Sequence, residues 1–199
     1  MIADLRTEVA VDRAMAGGTM LRRITARGLD VGDTIGALDL SMTLITTAAA
    51  CGHRDDTYVV VHTTPKPPSR SPVVMRHLIG LSETRYVLGA HRDHWMHAER
   101  GRGPDALWRS PDHGRTIAIE YDTGSYGPHT RLAKLSEAVR LDRDLIWAAP
   151  SVPRLRRITA EAAALVDNVN TGRTRQGWDP YPGTIRTRLT RWDAGSTYL

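Results

Sequence analysis

Four prolines fall within the eight residues Pro65-Lys66-Pro67-Pro68-Ser69-Arg70-Ser71-Pro72. Proline fixes φ and has no N–H to donate, so neither a helix interior nor a central strand passes through such a run. Residues 65–72 therefore read as a linker or extended loop. The chain is expected to divide there, into an N-terminal segment 1–64 and a second region from residue 73.

The rest of the composition sets limits on class. Of 199 residues, 41% are hydrophobic and 25% charged, a globular balance that excludes a fibrous or wholly disordered chain. Cys51 is the single cysteine, which excludes an intrachain disulfide and a cysteine-based zinc site. The longest apolar run, near residues 44–51, is broken by Thr46 and Thr47 and is too short to span a membrane. No signal-peptide core follows residues 1–4, so the expected location is cytoplasmic. The net charge is +5, and all basic residues except Lys66 and Lys134 are arginine. A basic balance hints at a polyanionic partner such as nucleic acid. Where arginine fills nearly every basic position, a remaining lysine marks a place where a compact ammonium serves better than a planar fork.

In the N-terminal segment, residues 1–16 suit a short helix that Gly17 and Gly18 end. Residues 19–24 then read as a strand, 33–51 as an apolar helix and 57–63 as a strand. Beyond the proline run a helix is expected over 82–99, with Ser82 as its N-cap. Strands follow at 105–110 and 115–122, joined by a turn at 111–114. A helix over 130–141 has Leu132, Leu135 and Val139 on one face. A short buried strand follows at 144–149, and then a helix over 153–166, basic at its start through Arg154, Arg156 and Arg157. Residues 168–199 turn polar and arginine-rich and read as a loosely ordered tail. Helix and strand alternate over 73–167 as in a small α/β domain, with the 130–141 helix crossing between neighbouring strands.

The hairpin 105–122 carries the chemistry. A turn at 111–114 sets Leu107 opposite Ala118, Arg109 opposite Thr116 and Asp105 opposite Glu120. Asp122 lies on the same face as Glu120, about 7 Å further along the strand. Carboxylates directly across a strand pair repel. Either a divalent cation neutralises them, all-oxygen ligands suiting Mg²⁺ or Mn²⁺, or the strand ends splay and water screens the charge. Lys134 falls on the next helix, beside Arg131 at i, i+3 spacing. An ammonium near paired acids can hold a phosphate or polarise a water. The histidines 91, 94 and 97 lie close in sequence, but Arg92 and Asp93 between them read as a solvated face rather than a zinc site. Tyr126, in a glycine-flanked loop after the acids, reads as an ordinary loop tyrosine. A phosphotyrosine-forming relaxase would need such a residue.

Pro104-Asp105, a strand bearing Glu120-Tyr121-Asp122 and a following lysine resemble the restriction-endonuclease-like core. The resemblance implies that Asp105 and Glu120 bind a metal and that the lysine activates water. In this chain Asp122 stands where that pattern has its lysine, and Lys134 takes the role only if the lysine has migrated to the helix. A fuller resemblance is to the actinobacterial replication-relaxation family of plasmids and conjugative elements, which joins a winged helix to a nuclease-like domain. It is carried by His77-Leu78, Glu83-Thr84-Arg85, Trp95, Glu99, Pro104-Asp105-Ala106, Ile119-Glu120-Tyr121-Asp122, Arg131, Lys134-Leu135, Ile146-Trp147 and Arg154, in that order.

The resemblance implies an α/β (α+β) protein: a truncated winged helix over 1–64, the linker 65–72, a nuclease-like mixed sheet flanked by helices over 73–167, and the tail 168–199. It implies a DNA-processing protein of a mobile element, acting beside other replication or transfer proteins. The activity implied is metal-dependent phosphodiester cleavage with Mg²⁺ or Mn²⁺, through Asp105, Glu120, Asp122 and Lys134. Asp105 and Glu120 would hold the metal, and Arg131, Arg154, Arg156 and Arg157 would meet nucleic acid. The alternative is an inactive DNA-binding accessory protein built on the same core.

Overall fold

The computed structural model describes residues 1–48, 55–98, 103–111 and 114–192. Cys51, Glu99, the Gly101-Arg102 break, the middle of the 111–114 turn and the last seven residues lie outside them. The described residues form a mixed α/β protein with six α-helices and two sheets. Among them no helix is long and apolar enough to cross a membrane. The chain divides into two compact units, 1–92 with 190–199, and 93–189. The division falls after Arg92 and not at the prolines, because the helix that follows the prolines packs on the N-terminal elements.

In the first unit the order is α1 (Ile2–Asp12), β1 (Met15–Ala16), α2 (Gly17–Ala26), α3 (Val31–Ala37), β2 (Ser41–Ala48), β3 (Asp55–His62) and α4 (Pro72–Val87). The strands form an antiparallel sheet in the order β1-β3-β2. The expected strand at 19–24 is instead the body of α2, whose Met20, Arg23 and Ile24 are buried at helical spacing. Gly17 and Gly18 open that helix rather than end one, since a helix loses least from glycine at its terminus. The expected helix over 33–51 is a short helix and a strand. Asp30 caps α3 by accepting from the Asp33 N–H at 2.9 Å. The β-branched run Thr43, Ile45, Thr46, Thr47 then favours a sheet. By His62 the described residues hold three helices and three strands.

The apolar core of this unit is Leu5, Val9, Met15, Met20, Ile24, Leu38 and Val61. Beside it lies a buried ionic junction of α1, α2 and α4. The Asp12 carboxylate accepts from Arg85 Nε at 2.6 Å, Ser82 Oγ at 2.8 Å and Arg23 Nη1 at 3.1 Å. Ser82 is therefore no helix cap. It sits buried inside α4, whose N-cap position is Ser71. Trp192 is also buried here, edge-on to Tyr58 at 4.6 Å between ring centres.

The second unit is a five-stranded mixed sheet in the order β4 (Trp95–His97), β5 (Ala106–Arg109), β6 (Thr116–Tyr121), β7 (Asp144–Ala149), β8 (Ile185–Leu189). The first three strands are antiparallel and the last three parallel. The parallel pairs are bridged by α5 (Pro128–Arg140) and α6 (Val152–Arg175). Leu107 pairs with Ala118 and Arg109 with Thr116, as the hairpin register requires. The β6 strand is flanked on both edges, and both of its faces are buried over residues 117–121. Leu135, Ala138, Ile158 and Ala162 pack with Ala118, Leu145 and Trp147 beneath the two helices. Leu132, expected on that buried face, is exposed.

The tail is not loose. The α6 helix runs on to Arg175, and β8 adds an edge strand parallel to β7. Asp144 Oδ1 fixes the entry to β8 by accepting from Thr184 N at 2.7 Å and Oγ1 at 2.8 Å. The expected 82–99 helix ends at Val87, and His94 and His97 lie in a 3-10 turn and in β4.

Candidate functional site

The site forms where the end of β6, the start of β5 and one face of α5 meet. Asp105 precedes β5, whose pairing ends at Ala106 opposite Ile119. The Asp105 N–H also donates to Ile119 O at 3.0 Å, so Asp105 leaves the hairpin register by one residue and is not paired with Glu120 as expected. Glu120 projects to the α5 side of the sheet, where Lys134 reaches it. Lys134 Nζ donates to Glu120 Oε1 at 2.8 Å and Oε2 at 2.6 Å. The α5 helix places Lys134 one turn after the buried Arg131 and one turn before the buried Ala138. Asp105 Oδ2 accepts from the Tyr121 N–H at 2.8 Å and lies 3.4 Å from the Tyr126 hydroxyl. A shallow cleft opens here beside Pro104, Glu120, Lys134, Glu137 and Arg143.

The electrostatics follow from burial. Glu120 is almost fully buried. Its carboxyl is pushed well above the ordinary carboxylate range by burial first and by the negative Asp105 second, with Lys134 pulling the other way. The Tyr126 phenol is pushed up as well, by burial and then by the charge of Asp105. Two acids and one ammonium, Asp105, Glu120 and Lys134, thus lie together.

Asp122 does not join them. It lies one residue past β6, fully buried, and pairs with Arg154 at 2.8 Å to Nε and 2.7 Å to Nη2. Its other oxygen accepts from the Gly124 N–H at 2.8 Å. Gly124 sits at φ +98°, a backbone state that a side chain would strain. Arg131 and Arg154, expected to meet nucleic acid, are committed within the protein. Arg131 forks onto Glu161 at 2.8 and 2.5 Å, and both guanidiniums donate to the Tyr126 carbonyl. The Arg131 side chain is 3% exposed. Arg156 and Arg157 are exposed on α6 and remain open to a polyanion.

Sequence reasoning missed Glu161 and the role of the 122–127 loop. Glu161 follows Arg154 by two helical turns on α6, a visible spacing, but its partner on α5 is set by tertiary packing alone. Among the described residues no group of three or more His, Cys, Asp or Glu side chains could hold a metal ion. Comparison with family models, with curated proteins and with solved structures returned no match.

Proposed function

We propose that this chain is a DNA-processing protein whose 93–189 unit cleaves phosphodiester bonds with the help of a divalent cation. The observation that carries the reading is that Asp105 lies against Glu120, which pairs with Lys134 where both line a cleft. The donor chemistry fits Mg²⁺ or Mn²⁺. Such ions are held by one or two carboxylates, with waters and substrate phosphate completing the shell. Asp105 and Glu120 would supply the two carboxylates, and the cation would supply charge stabilisation at the phosphoryl oxygens. Lys134 is the group that holds a phosphate oxygen or orients the attacking water, at a point shielded enough for its charge to count.

The resemblance to the replication-relaxation family supports plasmid or transfer DNA as the substrate of this proposed activity. The 1–62 segment supports that reading, because its order of helix, strand, two helices and hairpin, with sheet order β1-β3-β2, is that of a winged helix. Its third helix, Val31–Ala37, carries Asp33 and no cation. Affinity for the DNA backbone is therefore assigned to exposed arginines such as Arg156 and Arg157 rather than to that helix.

One observation favours the second reading, an inactive DNA-binding accessory protein. Lys134 already neutralises both Glu120 oxygens, so the acids have a counterion without a metal. Thermal unfolding with Mn²⁺ and cleavage of supercoiled plasmid separate the two. Under the enzyme reading Mn²⁺ raises the melting temperature, and Asp105→Asn with Glu120→Gln removes that rise. Lys134→Ala lowers metal-dependent cleavage by roughly 10² to 10³ while DNA binding holds. A wild type that binds DNA, ignores Mn²⁺ and leaves plasmid intact establishes the accessory protein.

A further inference from the structure

We infer that Tyr126 is a positioning residue of the Asp105–Glu120–Lys134 site, holding Asp105 through its hydroxyl, and is not a nucleophile. The inference rests on the phosphodiester reading above. The first observation is where the side chain lies. Its hydroxyl is 3.4 Å from Asp105 Oδ2, and its ring centre is 5.4 Å from Lys134 Nζ. The phenol thus touches the groups on either side of Glu120. Its ring is fixed edge-on against buried Trp147, at 6.0 Å and 87°.

The second observation is how much of the protein is devoted to keeping it there. Asp122 accepts from the N–H groups of Gly124 at 2.8 Å and Tyr126 at 3.5 Å. The Tyr126 carbonyl accepts from Arg131 Nη1 at 3.0 Å and Arg154 Nη2 at 2.5 Å. Thr123 and Ser125 bond to each other at 3.0 Å across the same loop. The acid at the lysine position of the nuclease-like pattern and both internally committed arginines therefore serve one loop, and that loop delivers one hydroxyl. A neutral donor fixes which way a carboxylate faces and leaves it ionised, as hydrogen-bonded outer partners do for metal-ligating side chains. The Tyr126 hydroxyl donates to Asp105 and is held there by the loop, so it is placed to orient that carboxylate.

Tyr126→Phe keeps the ring against Trp147 and deletes only the hydroxyl. It should melt within a few degrees of wild type. It should need roughly tenfold more Mn²⁺ for a half-maximal rise in melting temperature and lose roughly tenfold in kcat, with KM for DNA unchanged. Tyr126→His restores an N–H donor on a ring and should recover part of both losses. Wild-type protein denatured during turnover should carry no covalently bound DNA. Three results overturn the inference alone: an unchanged Mn²⁺ response and kcat in Tyr126→Phe, a His variant no better than Phe, or a denaturation-stable DNA adduct in wild type that Tyr126→Phe abolishes. A wild type with neither a Mn²⁺ response nor cleavage overturns the phosphodiester reading and this role with it.

Discussion

At the scale of single residues, the site sorts its charges by how each is compensated. Glu120 and Lys134 form a two-oxygen pair that borders a cleft, and Lys134 is one-fifth exposed. Asp122 and Arg154 form a second pair whose acid sees no solvent at all. A buried ion pair contributes little net stability when whole, because both charges have lost their hydration. Breaking it by removing one partner is costly, since the other is left buried and uncompensated. Arg154→Met should therefore destabilise the protein by about 3–5 kcal/mol in urea unfolding. Adding Asp122→Asn should recover part of that loss, because the neutral amide no longer requires a counterion. A single Arg154→Met variant as stable as wild type would show that Asp122 finds other compensation.

At the scale of elements, legibility tracked whether an element's partner was local. The β5–β6 hairpin was readable because a turn fixes register, which sets the pairs from Ala106 with Ile119 to Arg109 with Thr116. Asp105 departs from that register, since its N–H turns to the Ile119 carbonyl. The β7 strand was readable as a short apolar run bounded by Asp144 and Pro150. The α2 helix was misread because Thr19 to Ile24 is short, and the buried Arg23 disguised its helical period as polar. The β8 strand was invisible for a related reason. Ile185, Thr187 and Leu189 alternate with Arg186 and Arg188, but only pairing to β7 across the long α6 connection reveals a strand there. That long return is tied down by Tyr181, whose hydroxyl donates to the Arg143 carbonyl and whose N–H donates to Asn170 Oδ1 at 2.7 Å. Burial pushes the Tyr181 phenol up to about 12, from an ordinary value near 10. The native state thus favours the protonated form, and this contribution is whole below about pH 10 and lost as the pH rises towards 12. Wild type should therefore lose stability more steeply between pH 10 and 12 than Tyr181→Phe, as followed by chemical unfolding at stepped pH. Parallel curves for the two proteins would exclude Tyr181 as the titrating group.

At the scale of the whole molecule, charge and chain end both differ from what composition suggests. Several arginines are spent on internal acids: Arg22 on Glu83, Arg23 and Arg85 on Asp12, Arg131 on Glu161 and Arg154 on Asp122. The count of arginines thus overstates the cations left for a partner, while the net charge is almost unchanged by such pairs. The arginine-rich C-terminal stretch is likewise structural. Within the 93–189 unit it supplies β8, which covers one edge of β7 and brings Ile185 against the core of Leu145, Trp147 and Ile158. In the other unit it supplies Trp192, fully buried against Tyr58. Removing residues 183–199 should strip the edge from one sheet and leave a tryptophan-sized void in the other unit. Burying a tryptophan is typically worth about 3–5 kcal/mol against truncation to alanine, a large part of the stability of a domain this size. The truncated chain should show no cooperative melting, and Trp192→Ala in the full chain should melt cooperatively but well below wild type. A truncated protein that melts cooperatively within a few degrees of wild type would show that neither core depends on these residues, and would return the stretch to the role of a solvated basic arm.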